Sequence, residues 1–119
     1  MSCAVLVVED DDDGREMLCT VLEEAGYTAL AARDGLQAFG QMGARRPDLI
    51  LLDIQMPVMD GWEFRTLQRR DPRYSDIPVI GLTAVFDPLE VALKLGLRCL
   101  PKPLDLDDVL KEVAAVCGG

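Results

Sequence analysis

The sequence predicts an α/β domain built on a parallel sheet of five strands, covered by helices on both faces. Short apolar runs without polar alternation, such as "CAVLVV" (3–8) and "DLILLD" (48–53), suit strands buried on both sides. Between such runs lie segments whose apolar residues recur at three- and four-residue spacing, the period of a helix packed along one stripe. The two kinds of segment alternate along the whole chain with no repeat, low-complexity stretch or linker, as βα units do. One domain over residues 1–119 is expected, since a chain of that length can bury a real core.

The first strand is 3–8. Met17, Leu18, Val21, Leu22 and Ala25 then mark a helix that Gly26 closes. "YTALAA" (27–32) is the second strand, and "DGLQAFGQMGA" (34–44) a helix weakened by two internal glycines. Pro47 marks the approach to the third strand, 48–53. After a "QMPVMDG" loop, Trp62 to Arg70 reads as helix, with Asp60 as its cap. Trp62 and Phe64 are read as packing and partial surface rather than a binding box. "IPVIGLT" (77–83) is the fourth strand. In "DPLEVALKLG" (87–96), Asp87 caps, Pro88 suits the first helical position, Glu90 completes a capping box and Gly96 ends the helix. "LRCL" (97–100) is a short fifth strand. Leu106, Val109, Leu110, Val113 and Val116 form one face of a final helix, with Asp105, Asp107 and Asp108 favourable at its N-terminus.

Composition narrows the function. A formal charge of −9 and a pI near 4.3 argue against nucleic acid as a direct partner. Half the chain is hydrophobic and mean hydropathy is +0.15, which argues against disorder. No apolar run approaches membrane-spanning length, and the N-terminal residues lack a basic segment and a cleavage site, so a cytoplasmic protein is expected. Cys3, Cys19, Cys99 and Cys117 show no CxxC pairing and are read as apolar filler, neither zinc ligands nor a disulfide framework. With no histidine in the chain, Ser/His and Cys/His nucleophile chemistry is excluded.

Open parallel sheets bind ligands beyond the carboxyl ends of their strands. The residues there are Glu9 and Asp10 after the first strand, Asp53 after the third, Thr83 after the fourth and Lys102 after the fifth. Three carboxylates converging on one point repel unless a cation sits among them, and Mg²⁺ accepts hard oxygen ligands from a few carboxylates. A lysine and a threonine beside them can hold phosphate oxygens. A carboxylate can then attack, giving an aspartyl phosphate.

In these strings the chain resembles the receiver domains of bacterial two-component response regulators: "VLVVEDD", "LILLDIQMPVMDG", "GLTA" and "LPKP", in the expected order. The resemblance implies a flavodoxin-like (βα)5 fold with strand order 2-1-3-4-5. It implies that Asp53 accepts a phosphoryl group from a phosphohistidine on a sensor histidine kinase or histidine phosphotransfer protein, in a signalling phosphorelay. It further implies Mg²⁺ bound by Glu9, Asp10, Asp53 and the backbone carbonyl of Gln55, with Thr83 and Lys102 on the phosphoryl oxygens. The Lys102–Pro103 bond is often cis in that family. The modified protein would then present a changed surface to a downstream protein target, acting as a switch rather than an enzyme upon other molecules. Cys99 stands where receivers usually carry a Tyr or Phe, and the segment from Thr83 to Lys102 looks short. An atypical output face is therefore expected, with Phe86 taking the aromatic role.

Competing readings fail on particular residues. Counted from Glu9, an EF-hand loop would need a bidentate Glu where Thr20 stands. Asp11, Asp12 and Asp13 are instead a helix cap and first turn. A phosphatase of the haloacid dehalogenase type needs an Asp where Gln55 stands, and a flavodoxin-like cofactor carrier would have its phosphate repelled by Glu9–Asp13. The alternative that stays open is a pseudo-receiver that is not phosphorylated and acts as a protein-docking module.

Overall fold

Strand β1 (Ala4–Val8) lies at the interior of a sheet whose order is β2-β1-β3-β4-β5, flanked by β2 (Thr28–Ala32) and β3 (Leu49–Asp53). Beyond β3 come β4 (Val79–Thr83) and β5 (Arg98–Pro101), and every pairing is parallel. The helices described from end to end are α1 (Asp12–Glu24), α2 (Gly35–Ala44), α3 (Gly61–Arg70) and α4 (Leu106–Cys117). The computed structural model describes residues 3–56, 59–84, 90, 93–94 and 96–118. The five-stranded α/β architecture read from the sequence is the one observed. Most of the expected 87–96 helix, with Phe86, Asp87 and Pro88, lies outside the described residues. Glu90, Leu93 and Lys94 are helical, and the Lys94 ammonium sits 2.9 Å from Glu90 one turn earlier.

The unbroken apolar runs of β1, β3 and β4 are fully buried because both faces of the sheet are covered. Alternate side chains divide between two cores. Leu6, Val8, Ile50 and Leu52 pack with Ala38 and Met42 of α2 and Phe64 of α3. Val5, Val7, Leu49, Leu51, Ile80 and Leu82 pack with Leu18 and Leu22 of α1 and Val109 and Val113 of α4. The Phe39 and Phe64 rings pack at 5.0 Å, tilted by 34°, in the first of these cores, and Trp62 projects to the surface, 39% exposed.

Each of the four described helices is capped by an aspartate. Asp11, Asp34, Asp60 and Asp105 accept the backbone N–H groups of Gly14, Gln37, Glu63 and Asp107 at 2.7 to 2.9 Å. A carboxylate there satisfies an orphan donor and complements the positive helix end. Four of the 21 acidic residues thus serve to start helices. α1 stops where Gly26 turns to φ 96°, a conformation open to glycine.

The connection from α3 to β4 hangs on one side chain. Gln68 is fully buried, and its amide donates to the carbonyls of Tyr74 (2.8 Å) and Ile77 (3.0 Å) while Arg65 donates to its oxygen.

The cysteines correct the sequence reading. Cys3, at the start of β1, and Cys117, at the end of α4, form a disulfide with Cα atoms 5.8 Å apart. The pairing spans 114 residues and depends on α4 returning antiparallel to β1, which no local spacing announces. Cys19 and Cys99 are free, half-buried thiols packed against the two cores, as filler.

Candidate functional site

The register of the sheet brings the strand ends level. Val8 pairs with Leu52, Asp53 with Leu82 and Thr83 with Pro101. The chain leaves each strand under hydrogen-bond control: Glu9 N–H donates to Ala32, Ile54 N–H to Leu82 and Lys102 N–H to Thr83, at 2.8 to 3.0 Å. Glu9, Asp53, Thr83 and Lys102 therefore gather at one rim, although more than ninety residues separate the first from the last. Lys102–Pro103 is a cis peptide bond.

Asp53 is 2% exposed and Glu9 5% exposed, so both carboxyls are largely withdrawn from water, while Asp10 is exposed. Oxygens of Glu9, Asp10 and Asp53 lie within 4.8 Å of one another. The Lys102 ammonium is 2.8 Å from Glu9 Oε1 and 3.4 Å from Asp53 Oδ2. Burial pushes the Asp53 carboxyl up, and its neighbours Glu9 and Asp10 push the same way against the opposing charge of Lys102, to about 8. Burial alone would lower the Lys102 ammonium, but the Glu9 hydrogen bond and the Asp53 and Glu9 charges outweigh it and hold the group above its ordinary value.

One cation among three acids leaves the site short of positive charge. Glu9 Oε2 is buried and, among the described residues, has no hydrogen-bond partner. An orphaned carboxylate oxygen is costly, and here it sits beside two further carboxylates that a cation would bridge. All these donors are hard oxygens, with no nitrogen or sulfur ligand among them, which suits a small divalent cation of the Mg²⁺ type.

The remaining acids of the run have other work. Asp11 caps α1, while Asp12 and Asp13 lie in its first turn and Asp12 pairs with Arg15. The Arg15 guanidinium reaches back to the Glu9 carbonyl at 2.9 Å, fixing the turn between strand and helix. An open groove of about 350 Å³ runs past Glu9 and Lys102, bounded by Met17 and Leu18 of α1 and by Pro103 and Leu104.

The Gln55 side chain is the participant that the sequence reading missed. Its carboxamide oxygen accepts from the Ala84 N–H (3.1 Å) and the Thr83 hydroxyl (3.3 Å), and its amide lies 3.0 Å from Thr83 Oγ1. The Gln55 N–H meanwhile donates to Asp53 Oδ1 at 3.2 Å. Its place two residues after Asp53 was the available signal.

Cys99 packs against β4 at Gly81, where an added Cβ would stand 2.7 Å from Cys99 Sγ. The Cys99 thiol thus fills space that a side chain at position 81 would need, and burial raises the thiol above its usual range.

The family model described as the response regulator receiver domain matches residues 5–114. The chain belongs to the response regulator receiver family. Receiver domains of this family are signalling switches of two-component systems. Over 115 residues the chain is 36% identical to the CAI-1 autoinducer sensor kinase/phosphatase CqsS of Vibrio cholerae, covering 93% of this chain and 17% of that one. Over 119 residues it is 36% identical to the response regulator MprA of Mycobacterium ulcerans, covering 98% of this chain and 50% of that one. The chain therefore spans half or less of these relatives. Among solved structures, the chemotaxis protein CheY4 of Vibrio cholerae superposes with a TM-score of 0.88 at 32% identity, covering 98% of this chain and 99% of that one.

Proposed function

We propose that the receiver is a phosphoacceptor switch in which Asp53 takes a phosphoryl group from a phosphohistidine on a sensor histidine kinase or histidine phosphotransfer protein. The observation that carries this reading is the Asp53 carboxyl itself: buried, flanked by a lysine, and paired with a strand that ends in a hydroxyl and a backbone N–H, those of Thr83 and Ala84. Glu9, Asp10, Asp53 and the backbone carbonyl of Gln55 would hold Mg²⁺, which supplies positive charge against the oxygens of the incoming group. An Asp53 oxygen forms the bond to phosphorus as the bond from phosphorus to the donor nitrogen breaks, its electron pair leaving with the imidazole. Lys102 and Thr83 then hold oxygens of the transferred group, the first by charge and the second by hydrogen bonding.

The groove between α1 and the Pro103–Leu104 segment gives the donor its approach. The modified receiver is read by a downstream protein in the cytoplasm, through an output face made atypical by Cys99 on its β4 glycine and by the short sequence between Thr83 and Lys102. The chain turns over no other substrate. Incubation with Mg²⁺ and acetyl phosphate should label the protein, and Asp53→Ala should remain unlabelled. Absence of Asp53-dependent labelling would overturn the switch in favour of a docking module that works without phosphate.

A further inference from the structure

A hydroxyl and a backbone N–H side by side at a strand end form a two-donor seat for an oxygen atom, and here the seat is taken. The Gln55 carboxamide oxygen occupies both the Ala84 N–H and the Thr83 hydroxyl. The orientation of the amide follows from chemistry, because the Ala84 N–H needs an acceptor and an NH₂ group offers none. The same residue lies in the loop directly after Asp53, with its backbone N–H on the Asp53 carboxyl. It therefore bridges the acceptor residue and the seat.

We infer that the Gln55 carboxamide is an internal stand-in for a phosphoryl oxygen, an autoinhibitory latch that must leave Thr83 and Ala84 before the phosphorylated state can form. The inference rests on the phosphoacceptor reading of Asp53. Gln55 takes no covalent part: with an acyl phosphate donor, the Asp53 oxygen bonds to phosphorus while the acyl carboxylate departs with the electron pair. The latch acts as a positioning residue, by competing for the donors that would otherwise receive the incoming oxygens. Its strength is that of two or three neutral hydrogen bonds, each modest in net terms because exchange partners replace them. It is thus strong enough to slow the switch without preventing it.

The test compares wild type with Gln55→Met, which keeps the length of the side chain and removes its hydrogen bonds. Labelling by acetyl phosphate with Mg²⁺ should be faster in the variant by roughly threefold to thirtyfold, the range given by losing a few such bonds. Affinity for beryllofluoride, a non-covalent phosphoryl mimic, should tighten by a similar factor while the melting transition stays cooperative. In wild type, the NMR signals of the Gln55 side-chain amide should move when beryllofluoride is added, a readout that needs no variant. Labelling and beryllofluoride affinity equal to wild type in the Met variant, or unmoved Gln55 signals in a wild type that does bind the mimic, would overturn the latch and leave the acceptor reading intact. If neither protein is labelled nor binds the mimic, the acceptor reading fails and takes the latch with it.

Discussion

The two ends of the sheet are built on opposite terms. At the amino ends of β1, β2 and β3 the chain is tied: Asp48 exchanges hydrogen bonds with both backbone groups of Ala4 at 2.8 Å, Thr28 N–H donates to Cys3, and Cys3 is bonded to Cys117. At the carboxyl ends three acids crowd one lysine, one carboxylate oxygen is orphaned, and two donors are held by a side chain from the neighbouring loop. The same five strands supply both ends. Covalent and hydrogen-bonded ties are concentrated at one end, and unresolved charge is concentrated at the rim where we propose that a phosphoryl group is accepted.

The most severe break of this contrast is Asp53→Asn. It should abolish labelling by acetyl phosphate altogether, and at pH 8 it should raise the melting temperature of the metal-free protein by removing a buried charge, as calorimetry would show.

The second is pH. Because the folded Asp53 carboxyl titrates near 8 and the unfolded one near 3.8, the folded state holds the extra proton between those values. Stability of the metal-free protein should therefore fall as pH rises through that window, by up to about 6 kcal/mol at 1.36 kcal/mol per pH unit. Denaturant titrations at pH 5 and 8 would measure the loss, and millimolar Mg²⁺ should reverse most of it at pH 8. A flat profile would show that the crowded rim carries no strain.

The third prediction attacks the tied end. Reducing Cys3–Cys117, or replacing both with serine, should cost about 2–4 kcal/mol, because the bond closes a loop of nearly the whole chain. Urea midpoints with and without reductant would show it, and labelling of Asp53 should be unaffected. The smallest effect belongs to Asp11→Ala, which removes the α1 cap and should lower stability by about 1 kcal/mol without altering Mg²⁺ affinity. An equal fall in Mg²⁺ affinity would make Asp11 part of the metal site.

These contrasts were unequally legible in the amino-acid sequence. Strands buried on both faces announce themselves by unbroken apolar runs, and Asp11, Asp60 and Asp105 are readable as caps because the signal is local. The gathering of Glu9, Asp10, Asp53 and Lys102 was legible because strand ends of a parallel sheet share one rim. The disulfide was not, since it depends on where the last helix delivers Cys117 relative to Cys3. Nor was the Gln55 bridge to Thr83 and Ala84, because hydrogen bonding across two loops depends on side-chain reach rather than on spacing. Cys99 stood out as a departure, and its partner Gly81 emerged once β4 and β5 were aligned in register.

Gln68 has a consequence for how this protein comes apart. Its buried amide holds two carbonyls of the segment leading into β4, while its own backbone belongs to α3. Helix and connection are thereby one cooperative unit, and neither should open without the other. In native-state hydrogen exchange, slow amides of α3 and the amides of Tyr74 and Ile77, which close their own turns on Asp71 and Tyr74, should exchange with a common opening free energy. Gln68→Ala should split that unit in two, letting the connection exchange early while the helix stays closed.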